Sequence, residues 1–462
     1  MQGGFLPMVM LSILDAVSNT KFIFILLSLI IVITLVDSQF IKVFYGTNFG
    51  TPGKIHLLLF ISFVVIASII NAIFLLFAKS NDTSVKSSGT LLFRIAYIAT
   101  SLVQYTITVI LFIMIAEMLI FHGYNKIFSL LIVYLSHLWS AIILGVLSFR
   151  FIQWFRFTRS FSLLIYGVVF IAILFLILIT VPLLTEQFRL QPQVVYSRVY
   201  TSLIMDILVP SSDIAFIYAL GNYVLPLLVI LSWIVTVSLL RPYADRIGKK
   251  TFWLIVSIPL LYQFFSLIVS DPYLITDPGL IKIVYSKEFQ LFIGISHEIT
   301  GLLLAIGFWL IGRKMKRKTM RNYLIISSIG MILLFSSIQS GIPFYAAYPP
   351  FGLVTLLFLG LSSYLLLVGM LGCAAYVSRD VELRREIYRG LEIDSNVLKK
   401  MGLAEVQREM ERRILPLVNK TNLSDEMRQS LDPSDEDVKT MIDEVLNEIH
   451  SKRPHVNDER EP

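Results

Sequence analysis

Runs of mostly apolar residues long enough to cross a lipid bilayer recur along almost the whole chain, and they limit its fold more than any other feature. They lie at 21–41, 55–77, 95–120, 127–148, 162–184, 214–240, 252–269, 289–311, 323–342 and 351–376, against the about 20 residues a spanning helix needs. Hydrocarbon offers no hydrogen bonds to peptide groups, so each run must satisfy its own amides as a helix. Only 15% of the 462 residues are charged, where soluble domains carry about 25%. That deficit spans most of the chain and exceeds what one anchor would produce. The expected fold is an all-α, polytopic transmembrane bundle of about ten helices. The run at 21–41 is the weakest, because Asp37 interrupts its far end, and Phe252–Val269 is short.

Basic residues fix the expected orientation, since Lys and Arg gather in short cytoplasmic connections. The connections after even-numbered runs hold sixteen, among them Arg150, Arg156, Arg159, Lys249, Lys250, Arg313, Lys314 and Arg317. The opposite connections hold seven, and Gly341–Pro350 holds none. Both termini are thus expected in the cytoplasm, at a cytoplasmic membrane. The stretch Ser148–Ser160 alternates arginine with Phe and Trp. It reads as an interfacial anchor of Arg150, Trp154, Arg156 and Arg159, with rings at headgroup depth and guanidinium groups among phosphates.

Charge divides the chain. Residues 1–376 hold 24 Lys/Arg against 12 Asp/Glu, whereas residues 377–462 hold 15 against 20. The acidic tail argues against nucleic acid as a partner and leaves the lipid bilayer as the first one. Four regions follow: a cytoplasmic segment 1–20, the bundle 21–376, an amphipathic helix 377–420 continuing from the last span, and 421–462. In that final region an acidic linker precedes a short amphipathic helix and a disordered end. Ser434 would cap the short helix, with Asp435, Glu436 and Asp437 in its positive first turn. Val438, Met441, Ile442, Val445, Leu446 and Ile449 then form one stripe. Such a stripe buries itself on the other tail helix, on a second copy of the chain, or on a cytoplasmic protein.

Ionisable groups inside hydrocarbon are costly and therefore point to sites. Here they are His137 in the fourth run, His297 and Glu298 in the eighth, and Glu117 near the outer end of the third. Converging, they would bind a metal or relay protons; apart, each would bond a neighbouring helix. Their spacing enforces neither arrangement. Asn71, Gln104, Asn222, Gln263 and Gln339, with Gly360, Ser362, Ser363, Gly369 and Gly372 in the last run, read as packing groups between helices. Cys373 reads as a small packing residue. No phosphate-binding loop of the G-x-x-x-x-G-K type occurs, and no cofactor is expected. Pro182, Pro226 and Pro259 should kink their helices.

The stretch Tyr348–Gly369, then Ser378-Arg379-Asp380 with Leu383-Arg384, the segment Leu398–Arg413, and Asp435-Glu436-Asp437-Val438 leading into Asp443-Glu444-Val445-Leu446 resemble a family of multi-pass membrane proteins from ammonia-oxidising and related archaea. The resemblance covers roughly the last quarter of the chain. It implies an archaeal cytoplasmic membrane and a span bundle whose last helix runs into a helical tail, like a sensor module without a catalytic output domain. It carries no catalytic residue with it. Two functions lead: a non-catalytic sensor or signalling scaffold that couples an outer or intramembrane site to the tail, and a secondary transporter or channel for a small solute; an intramembrane enzyme built on the His/Glu set ranks last, because no motif enforces its geometry. For the first, the unbroken run from Tyr364 to Ile387 suggests one rod through the membrane. For the second, Gly221-Asn222 with Pro226 suggests an interrupted helix.

Overall fold

A computed structural model describes residues 28–29, 32–33, 54–82, 90–189, 193–195, 212–270, 287–338, 349–380, 382–383 and 397–408. They are almost entirely helical. The long helices are α1 (Lys54–Asp82), α2 (Thr90–Phe121), α3 (Lys126–Thr158), α4 (Phe161–Arg189), α5 (Ser212–Leu240), α6 (Lys249–Ser270), α7 (Lys287–Lys314), α8 (Lys318–Ile338) and α9 (Leu353–Arg379). A further helical segment, α10, covers 397–408. Seven helices among the described residues are long and apolar enough to cross a bilayer, namely α1 to α5, α8 and α9. Helices α6 and α7 occupy the runs at 252–269 and 289–311. The run at 21–41 lies almost wholly outside the described residues. The chain divides into two units, Met1–Val406 and Gln407–Pro462. The stripe Val438–Ile449 belongs to the second and lies outside the described residues.

Consecutive helices pack as neighbours through short connections, as bundles require. Arg159 and Ser160 alone join α3 to α4, and Arg159 adopts the left-handed conformation (φ 51°) that closes α3 with an N–H to Phe155 O bond of 2.7 Å. At the other end of α3, Gly123–Asn125 pairs antiparallel with Gln193–Val195, Gly123 opposite Val195. The Asn125 side chain accepts the Ile127 N–H at 3.0 Å and so caps α3.

Helix α9 is the hub. It packs against α8, α3, α1 and α2, and its central stretch is wholly buried within the protein. Close approach in a membrane depends on small residues, because lipid provides no hydrophobic drive between helices. A Cβ on Gly372 would stand 2.5 Å from the Tyr323 ring, and one on Gly330 of α8 would stand 2.9 Å from Leu366. Helices α8 and α9 thus meet backbone to side chain from both directions. Gly352 begins α9 at φ 88°, a conformation that other residues rarely adopt. Before it, Phe351 is fully buried and packs edge-on against Phe60 of α1 at 5.7 Å. Pro182, Pro226 and Pro259 lie within α4, α5 and α6, and the helices continue past all three.

Helix α9 does not run unbroken into the tail. It stops at Arg379, and Asp380 turns to extended backbone (φ −87°, ψ 99°). The Asp380 carboxylate accepts the Leu383 N–H at 2.9 Å, starting a new turn. A short carboxylate that bonds nearby backbone offers an alternative to the helix ladder, and here that alternative prevails.

Candidate functional site

Helix geometry puts the candidate residues at three levels of the bundle. At the end distant from the basic connections, the Glu117 carboxylate accepts the Asn125 N–H at 2.9 Å. It thereby secures the turn that starts α3. His137, at 4% exposure, sits one helical turn above Val133, with Nδ1 2.9 Å from the Val133 carbonyl and 3.3 Å from Ser136 Oγ. A protonated Nδ1 donates to that carbonyl, so the ring is held by its own helix. The backbone at His297 and Glu298 lies in α7, and their side chains lie outside the described residues. Among the described residues no group of three His, Cys, Asp or Glu is placed to hold a metal. Glu117 and His137 are each engaged with local backbone.

The middle level holds polar contacts across helices. Trp139 Nε1 of α3 donates to Thr100 Oγ1 of α2 at 3.0 Å. Ser148 Oγ donates to the Gly167 carbonyl of α4 at 3.1 Å, and Ser328 Oγ to the Ala305 carbonyl of α7 at 2.8 Å. Trp233 Nε1 donates to the Val256 carbonyl of α6 at 2.9 Å. Hydroxyl and indole groups thus make the bridges that the sequence suggested for amides. Gln104, by contrast, is fully buried beside Trp139 and Gly360 and has no hydrogen-bond partner among the described residues on either amide atom. Asn71 Oδ1 is likewise without one. Gln263 is buried, and Asn222 and Gln339 lie outside the described side chains.

At the basic end the structure assembles contacts that local sequence does not signal. Arg156 and Arg159 are exposed there, and Arg150 bonds Gln153 at 3.3 Å. Trp154, which the sequence places among headgroups, is fully buried in the protein. Its ring meets Phe151 edge-on at 5.0 Å, and Phe151 stacks on Tyr166 of α4 at 5.5 Å. Its Nε1 donates to the Glu405 carboxylate of α10 at 2.8 Å. Alternating aromatic and arginine residues look alike whether they face lipid or line a docking seat, and only the distant partner separates the two.

Helix α10 fills that seat with one apolar face. Leu398 and Met401 are buried at 2% and 1% exposure, and Ala404 is fully buried. Gly402 presses on Val377 near the end of α9 so closely that a Cβ there would overlap the valine side chain. Nearby, Arg317, between α7 and α8, reaches Glu382 at 3.1 Å and Asp380 at 3.9 Å. Buried apolar residues, one hydrogen bond to a carboxylate and an ion pair therefore join α10 and the α9 exit to α3 and to the α7–α8 connection.

This architecture, with seven membrane-length apolar helices around a buried hub, is that of a multi-pass α-helical membrane protein in contact with lipid. No protein-family profile, curated protein or solved structure matches the chain.

Proposed function

We propose that the chain is a non-catalytic sensor or signalling module. Its bundle would respond to an event in the membrane or on the outer side and would pass that response to the docked helix α10. In this reading the protein has ten spans with both termini in the cytoplasm, so the basic end is the cytoplasmic end. The alternation of basic connections supports that orientation, and a reporter fused after Pro462 tests it. The resemblance of the last quarter of the chain to archaeal membrane proteins supports an archaeal cytoplasmic membrane.

One observation carries the reading: the hydrogen bond from Trp154 to Glu405, made beside the contact of Gly402 with Val377. Through these contacts α10 rests on α3 and α9 together. A small shift of either helix changes the seat, and packed interfaces convert shifts of an ångström or two into discrete rearrangements. The break at Asp380 replaces a continuous rod with a hinge, and the docked surface takes over the coupling. For a transporter, the suggested interruption at Gly221-Asn222 is absent, because α5 is helical from Ser212 to Leu240.

The test perturbs the hub far from the tail. In Gly330→Ala the new methyl on α8 would stand 3.0 Å from Leu366 N and 3.1 Å from Ser362 O, backbone atoms of α9, forcing α9 to shift against α8. Hydrogen exchange of 397–408 should change severalfold in this variant. A tail whose protection stays the same while the bundle moves would end the sensor reading.

A further inference from the structure

Positive charge is concentrated at the basic end. Six of the nine residues from Arg313 to Arg321 are Lys or Arg, and the α5–α6 connection and the first turn of α6 add Arg241, Lys249 and Lys250. The structure joins these two connections. Lys314 Nζ lies 4.2 Å from the centre of the Tyr243 ring, across from α7 to the α5–α6 connection. Arg313 lies over the Trp309 ring at 4.9 Å. The charged heads themselves lie over aromatic faces, which hold these cations in place at the basic end. Lys249, Lys250, Lys316 and Lys318 are exposed. Asp245 lies 3.9 Å from Lys249, and Asp380 and Glu382 face Arg317.

We infer that this patch binds the phosphate of anionic lipid headgroups, and that the headgroup competes with Asp380 and Glu382 for Arg317. Lipid composition would then set how firmly the tail is held. The inference rests on the docked-tail reading above and names its regulator. Three features select lipid as the source of phosphate. The cations lie at the ends of α5 and α8, which are long and apolar enough to cross a bilayer, and of their neighbours α6 and α7, which puts them at headgroup height. Each basic residue near an anionic surface adds attraction, and the patch supplies several at once. The competing pair is weak, because Glu382 is 81% exposed and Arg317 38%, and exposed ion pairs contribute little. Charge taken up by headgroups frees the turn at Asp380–Leu383, which leads the chain toward α10.

The full-length chain is placed in nanodiscs of zwitterionic lipid and in discs with a rising fraction of anionic phospholipid. Hydrogen exchange of 380–383 and 397–408 is then read. Exchange should rise about fivefold as the anionic fraction increases. Arg317→Ala should show raised exchange in both lipids. The triple variant Lys249→Ala, Lys250→Ala, Lys316→Ala leaves the tail acids untouched. It should match the parent in zwitterionic discs and lose most of the lipid response. Inorganic phosphate at matched ionic strength should have no effect; if it reproduces the rise, the ligand is a free anion and the lipid assignment is overturned. Trp154→Phe separates the two layers of the argument. If it raises exchange while lipid changes nothing, the competition is wrong and the docked tail stands. If Trp154→Phe itself is silent, the docked tail fails and this inference falls with it.

Discussion

Helices α9 and α2 have nearly the same mean hydropathy, 2.2 and 2.1 over their most apolar stretches, and yet they live in different surroundings. The stretch in α9 is 100% buried in protein, whereas that in α2 is 39% buried and turns Leu102, Tyr105, Val109, Ile113 and Leu119 outward. Hydropathy measures the cost of meeting water and cannot tell lipid from protein, because both are apolar. Residue size tells them apart. The hub carries Gly360, Ser362, Ser363, Gly369 and Gly372 where neighbours press close, and the outer face of α2 carries bulky side chains where lipid is the neighbour.

Substitutions in the two helices can break this contrast. The largest effect is expected at Gly369→Val. A Cβ there would stand 2.7 Å from Ser327 N and 2.8 Å from Tyr323 O, backbone atoms that cannot step aside. Overpacking of this kind costs about 3 kcal/mol or more. The variant should elute as aggregate or melt well below the parent in detergent, and a normal melting curve would refute the hub. Gln104→Leu should act in the opposite direction. Replacing a buried amide that has no partner among the described residues with an apolar group of similar volume removes a desolvation penalty of about 1–3 kcal/mol. Its melting temperature should rise, and a fall would mean that Gln104 has an undetected partner. Asp380→Ala removes the carboxylate that holds Leu383 N–H, costing about 1 kcal/mol and raising exchange at the exit of α9. The smallest effect belongs to the outer face. Leu102→Ile, at a position 69% exposed to lipid, should stay within about 0.5 kcal/mol of the parent.

The sequence made the helical bundle legible because apolar run length is set by bilayer thickness, a property independent of tertiary contacts. The small residues of the last span also revealed their packing role, since little else suits glycine in a membrane helix. The docking seat was hidden for a different reason. Trp154 and Glu405 are separated by 251 positions, and each has an ordinary local explanation, one as a headgroup anchor and the other as a surface charge. The stop at Asp380 was hidden too, because a carboxylate that bonds backbone three residues on competes with the helix ladder without a fixed sequence signal. Gln104 misled in the other direction. An amide in a span normally bonds a neighbouring helix, and here the hydroxyl and indole of Thr100 and Trp139 bond each other beside it.

The position of the hub in the chain has a consequence for biogenesis. Helices α1, α2, α3 and α8 all rest on α9, and α9 emerges from the ribosome after every one of them. Chains are made and begin to fold from the N-terminus. The earlier helices must therefore wait in the bilayer with their inner faces against lipid or one another until residues 353–379 are inserted. Assembly then closes around a latecomer. A ribosome that stalls before Leu353 would release helices correctly threaded through the membrane but with no centre to gather on.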